Sequence, residues 1–171
     1  MAITLNGNGV ISGITDYDSG DVGRILQVKS ATKTDVDTYN QMTMTNITGL
    51  TVNITPSSTN SKILLIAYVN LAADTAVPFW QFARNGTGIA LGTSSGYQHN
   101  TTGFLYNATT TSGYALTAIG ANHLDSPSTT SQITYSCQWK SSSANTTVYI
   151  NRRPNDNYVN VVSCLTAMEV G

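Results

Sequence analysis

The sequence predicts an all-β fold: an antiparallel two-sheet sandwich of the jelly-roll kind, with a short N-terminal arm. Three observations lead there. Thr, Ser and Asn dominate the chain, whereas Glu and Lys are sparse. Thr favours strands, and Asn, Ser and Gly favour turns. Apolar residues recur with period two in several short segments, the signature of half-buried strands. Polar turn clusters separate those segments at the short spacing of sandwiches and jelly rolls. No segment carries a helical period, and no internal repeat is visible.

The elements follow in order. Residues 1–22 read as an arm and residues 23–171 as the sandwich domain. Met1–Gly13 is rich in Gly and Asn, and Asp16–Gly23 is an acidic, turn-rich spacer. Ile3, Leu5, Val10 and Ile11 give the arm too little apolar surface for a core of its own. They are expected to attach it to another subunit or another protein. Ile25–Lys29 opens the domain. Leu50, Val52 and Ile54 alternate with Thr51, Asn53 and Thr55, and Pro56 with the polar run after it ends that strand. Lys62–Leu71 and Phe79–Arg84 are the next strands. Asn85-Gly86 is a two-residue hairpin signal, because both residues tolerate positive φ. Gly88–Leu91, Tyr97–Asn107 and Tyr114–Asn122 follow. Ile133, Tyr135, Cys137 and Trp139 then alternate with polar partners, as do Val148 and Ile150. Asn157–Val170 is the last strand.

Lys62–Leu71 and Asn157–Val170 depart from simple alternation, since each carries apolar residues on both faces. A strand of that kind must be covered twice. In a two-sheet sandwich only one face meets the core, so the other needs a second subunit, and closed cyclic assemblies are the usual outcome. Leu64, Ile66, Tyr68, Leu165 and Ala167 are expected at that subunit interface.

Charged residues make up 10% of the chain, against roughly 25% in ordinary domains. Eight basic residues against nine acidic ones leave no basic footprint for nucleic acid. No apolar run is long enough to span a membrane, and the N-terminus lacks the charged and apolar regions of a signal peptide. The spacing GxGxxxG at residues 7–13 is not a dinucleotide loop and sits in no βαβ unit. His99, His123, Cys137 and Cys164 lie on separate segments without metal-ligand spacing, so no metal or cofactor is expected. Cys137 and Cys164 are expected as free thiols, since a core of this size needs no staple. No pair of carboxylates suggests acid–base catalysis. Tyr97, Tyr106, Arg152, Arg153 and Tyr158 are the candidate receptor contacts, Tyr and Arg being favoured in recognition surfaces.

The stretch ITGLTVNITPSSTNSKILLIAYVNLA (residues 47–72) resembles a pattern of tail-fibre-like structural proteins of bacteriophages. FARNG (82–86), DSPSTTSQITY (125–135), LTAMEV (165–170) and GRILQV (23–28) extend the resemblance over nearly all of the chain after Gly23. It implies a homotrimeric, non-enzymatic virion protein with a tumour-necrosis-factor-like jelly roll, made in the host cytoplasm and exposed on the particle surface. The arm is shorter than the region that usually precedes this domain. That favours a short tail fibre or host-recognition knob. A trimeric capsid decoration protein, either cement or head fibre, is the alternative, and a surface-polysaccharide hydrolase stands behind both. Other virion proteins would hold the arm, and a host glycan or receptor would meet the free surface.

Overall fold

The computed structural model describes residues 23–93, 99–106, 114–156 and 158–171, with two short strands, β1 (Thr4–Leu5) and β2 (Ile11–Ser12), before them. The remaining strands are β3 (Ile25–Lys33), β4 (Asp37–Tyr39), β5 (Thr45–Ile54), β6 (Lys62–Ala73), β7 (Pro78–Arg84), β8 (Thr87–Ile89), β9 (Gly103–Phe104), β10 (Thr117–Asp125), β11 (Ile133–Ser141), β12 (Val148–Ile150) and β13 (Ser163–Val170). No helix occurs among the described residues.

Two antiparallel sheets face each other. In the larger, β6 is central: β10 pairs along one edge, and β13 and then β12 pair along the other. β3 flanks β13, and β4 flanks β12. The second sheet runs β5-β11-β7-β8, with β9 also on β7. Inward side chains of both sheets form one core, with Leu65, Val69 and Leu71 of β6 against Trp80, Phe82, Ile133 and Tyr135. Period-two alternation is thus the cause of the layering: each strand places every second side chain between the sheets.

Local chemistry sets the corners. Asn85 and Gly86 have φ of 50° and 83°, as a tight hairpin turn with matching twist requires. Gly49, at φ 86°, lets β5 bulge so that Ile47 and Leu50 both point inward despite their odd spacing. That bulge extends β5 five residues upstream of the alternation visible from Leu50. The strand expected over residues 97–107 is reduced, in its described part, to the two residues of β9. The last strand begins at Ser163, because the described residues between Asn151 and Val162 are diverted into a loop.

The expected interface set needs one correction. Leu165 and Ala167 are fully buried in the core. The register explains it: Leu165 lies beside Ala67 and Ala167 beside Leu65, both inward residues of β6. The outward residues of β13 are Cys164, Thr166 and Met168, beside Tyr68, Ile66 and Leu64.

Both ends of the sandwich are closed by hydrogen-bonded buried polar groups. At the end where β6 starts, Glu169 accepts hydrogen bonds from Gln27 Nε2, Ser57 N and Ser57 Oγ, each at 2.6 Å. Desolvation opposes ionisation, but these donors outweigh it and hold the carboxyl at a pKa of about 2. Asp125 accepts from Arg84 Nη1 at 3.0 Å and from Tyr135 Oη at 2.6 Å. Burial first, then the neighbouring carboxylate, pushes the Tyr135 phenol upward. At the opposite end, Asn151 Nδ2 donates to the carbonyls of Lys33 and Asp35, both at 2.9 Å. Ser163 Oγ donates to Asn151 Oδ1 at 2.6 Å and accepts from Asn70 N at 2.9 Å.

Three outcomes are expected. Leu165→Ala should cost about 2–5 kcal/mol in denaturant unfolding, as a cavity in the core does. Because the Glu169 pKa is depressed on folding, its stabilisation is complete above the unfolded value near 4.5 and is lost as pH falls towards about 2. Thermal midpoints should therefore drop across that window in the natural chain and much less in Glu169→Gln. Asn151→Ala should destabilise by roughly 2–3 kcal/mol, leaving buried carbonyls unpaired at a position whose φ is 63°.

Candidate functional site

Two surfaces stand out, and the strand register builds both. The first is the outer face of the larger sheet. Across β3, β13, β6 and β10 the register aligns Val28, Met168, Leu64 and Leu124 in one row. The next outward rows are Ser30, Thr166, Ile66, Asn122 and then Thr32, Cys164, Tyr68, Gly120. None of these side chains is charged. Val28 is 51% exposed, Leu124 54%, Ile66 40% and Tyr68 38%. Gly120, having no side chain beside Tyr68, leaves a hollow of about 600 Å³ lined by Leu64, Ile66, Tyr68 and Asn122. The Cys164 thiol beside Tyr68 pushes its phenol upward.

The outer face of the second sheet is built differently. There Asn46 Oδ1 accepts from Ser136 Oγ and Gln138 Nε2, both at 3.0 Å. Gln81 Nε2 donates to Gln138 Oε1 at 2.9 Å, and Thr134 Oγ1 donates to Asn53 Oδ1 at 2.7 Å. Side-chain amides and hydroxyls thus satisfy one another across β5, β11 and β7. One sheet is finished with polar groups, and the other presents one uncovered apolar row with Ile66 and Tyr68 beside it.

The second surface lies where the 151–162 loop leaves β12 and enters β13. Arg153 Nε and Nη2 donate to the two oxygens of Asp156 at 3.0 and 2.9 Å. Its guanidinium sits 5.1 Å from the Tyr114 ring centre and 5.3 Å from that of Tyr158. Arg152 donates to the carbonyls of Arg153 and Pro154, both at 3.0 Å, and stacks on Tyr149. Tyr149 Oη donates to Asp74 at 3.2 Å. Three of the candidate receptor residues, Arg152, Arg153 and Tyr158, are therefore neighbours. Tyr106, 70% exposed, follows β9 beside the start of β7, at the same end of the sandwich. Tyr97 lies outside the described residues. Tyr114 and Tyr149 complete the cluster. Nothing in the sequence spacing joins Tyr114 to Arg153, since the pairing of β10 with β6 is what brings it there.

Of the arm residues, Leu5 and Ile11 oppose each other in the β1–β2 pair, and Ile3 and Val10 lie outside the described residues. The body meets the arm at Gly23, whose N–H donates to the Gly171 carbonyl at 2.7 Å. Cys137 and Cys164 are both free thiols. Burial pushes the Cys137 thiol upward and leaves it unreactive. No cluster of three potential metal ligands occurs among the described residues.

The Arg153–Asp156 ion pair gives a separate test of how this loop is held. Asp156→Ala should release Arg153 and speed amide hydrogen exchange through residues 152–160, with the rates of β6 and β11 unchanged.

Compared with known protein families and with characterised proteins, the chain matches none.

Proposed function

We propose that the chain is a non-enzymatic virion structural protein, a trimeric jelly roll that serves as a short tail fibre or host-recognition knob. The single observation that carries the assembly is the outer face of β3-β13-β6-β10, where Val28, Met168, Leu64, Leu124, Ile66 and Tyr68 stand uncovered and Lys62 at one edge carries the charge. Leaving its large side chains half in water forgoes about 1 kcal/mol apiece, roughly half the value of full burial. Monomeric proteins seldom tolerate so continuous a patch. Two further copies of the chain are the occupants, since the rows around the hollow beside Gly120 carry no charge and the hollow can receive a like apolar side chain. A closed ring of three covers the same face on every subunit.

The topology supports the jelly-roll reading. With β4, β9 and β12 set aside as short additions to the sheets, the strands of the body in chain order are β3, β5, β6, β7, β8, β10, β11 and β13, and the larger sheet takes the first, eighth, third and sixth. The second sheet takes the second, seventh, fourth and fifth. Opposed sheets of this alternating order define the double Greek key. The virion assignment rests on the motifs from Gly23 to Val170, and the arm's exit beside Gly171 leaves one end of the body for attachment.

The buried carboxylates speak against a glycan hydrolase. Asp125 and Glu169 flank Ile63 in one row across β10, β6 and β13. Ile63 is fully buried between them, so no groove separates the pair. Glu169, held ionised by its donors, is unfit to serve as a general acid.

Sedimentation equilibrium at micromolar concentration is expected to give three times the chain mass, and Ile66→Asp should yield folded single chains. A natural chain that sediments at its own mass would overturn the trimer. Removing residues 1–20 should leave a folded trimer that no longer joins particles. Immunogold labelling of particles should mark the tail tip, whereas label over the head would make this a decoration protein.

A further inference from the structure

We propose that the Tyr114–Arg153–Tyr158 cluster is a binding platform for a neutral carbohydrate. The inference deepens the recognition reading and rests on it only for the direction in which this end points. Strand register gives that direction. Glu169 and Val170 lie beside Ile63 and Lys62 at the end where the arm leaves, next to Gly23. Ser163 opens β13 at the other end, about 25 Å away for a strand of this length. Asp74, Tyr114, Tyr149 and the 151–162 loop all gather at that far end, as the pairing of Thr117 with Leu71 and of Tyr149 with Ala72 requires.

The cluster is ordered before any ligand arrives. The Asn151 and Ser163 hydrogen bonds anchor the base of the loop inside the sandwich. Asp156 clamps the Arg153 guanidinium with two bonds and also accepts from Tyr158 N at 3.2 Å. The Arg153 side chain is only 20% exposed, yet Tyr158 is 85% exposed and Tyr114 53%. Two rings are thus held in water by a cation that stays largely covered. Preorganised aromatic surface of this kind binds without a large ordering cost, and Tyr and Arg are the side chains that carry most binding energy.

The local charges choose the ligand class. Arg153 is matched by Asp156, Arg152 is committed to two backbone carbonyls, and Asp74 lies at the Tyr149 hydroxyl. Two cations and two carboxylates leave no net charge to attract a phosphate, a uronate or a sialate. What remains is ring faces bordered by hydrogen-bonding groups. A pyranose has the complementary surface: a C–H face that stacks on a ring, and vicinal hydroxyls that bond to a carboxylate and a guanidinium side by side. Arg153 Nη1, which has no partner among the described residues, and the second lone pairs of Asp156 are placed for such a diol. An apolar peptide would leave those groups desolvated and unpaired.

The test uses the full chain against soluble neutral oligosaccharides built from glucose, galactose, mannose or rhamnose, with uronate and sialylated oligosaccharides as the acidic arm. Saturation-transfer NMR should detect binding of at least one neutral member, with little dependence on salt. Tyr158→Ala and Tyr114→Ala should each weaken it by about tenfold or more, and Tyr158→Trp should retain it. Both alanine variants should keep the sedimentation mass of the natural chain, which separates loss of the platform from loss of assembly. The proposal is overturned if no neutral member binds, if binding is confined to acidic members and falls steeply with salt, or if the alanine variants bind as well as the natural chain. Tyr158-dependent adhesion to host cells that survives periodate oxidation of their glycans would assign the surface to a protein receptor and overturn it equally.

Discussion

β6 is apolar on both faces, and the sandwich is arranged around that constraint. Ile63, Leu65, Ala67, Val69 and Leu71 fill the core, while Leu64, Ile66 and Tyr68 point away from it. A strand with two apolar faces belongs at the centre of a sheet, where both edges are paired and both faces can be covered. Its neighbours obey the same rule by degrees. β13 continues the outer apolar surface through Met168, and β10 through Leu124, before polar residues take over. On the second sheet Gln81, Gln138 and Ser136 are buried, and the amide ladder satisfies their polar groups. The two faces are therefore not equivalent, and any association has a built-in side.

The ends of the sandwich solve a different problem. Inward strands must stop somewhere, and the last core layer would otherwise be open to water. One end is closed by two hydrogen-bonded carboxylates, and the other by Asn151 and Ser163 bridging β3, β6 and β12. Uncompensated buried polar groups would cost more than the closure contributes, so each cap is stabilising only because these groups are hydrogen-bonded. The caps have a second effect. They fix where the connecting loops emerge, and the loop held by Asn151 is the one that carries Arg153 and Tyr158.

How much of this was legible in the sequence depends on the range of the interaction. Alternation in Leu50–Ile54, Ile133–Trp139 and Val148–Ile150, and the Asn85-Gly86 turn, are local signals, and the strands stand where those signals put them. β4 was not foreseen: Asp37, Thr38 and Tyr39 carry no alternation, and they are strand only because β12 offers an edge. The faces of β13 could not be ranked either. Leu165 and Ala167 look as suited to an interface as Met168 and Val170, and a shift of one residue in pairing would exchange them. Register with β6 decides, and register is a property of two strands far apart in the chain. The same holds at the candidate recognition surface, where Arg152, Arg153 and Tyr158 are near in sequence but Tyr114 arrives through β10.

The junction at Gly23 also has a mechanical meaning. Tension between the arm and the 151–162 loop enters β3 at its first residue and β13 at its first residue, from opposite ends of an antiparallel pair. The two strands are then drawn past each other along their length. Every rung from Ser163–Lys33 to Glu169–Gln27 shares the load at once, in shear. A pull applied instead between Gly23 and Gly171 would open the same ladder one rung at a time, like a zipper. The body is therefore strongest along the axis that joins Gly23 to its far end.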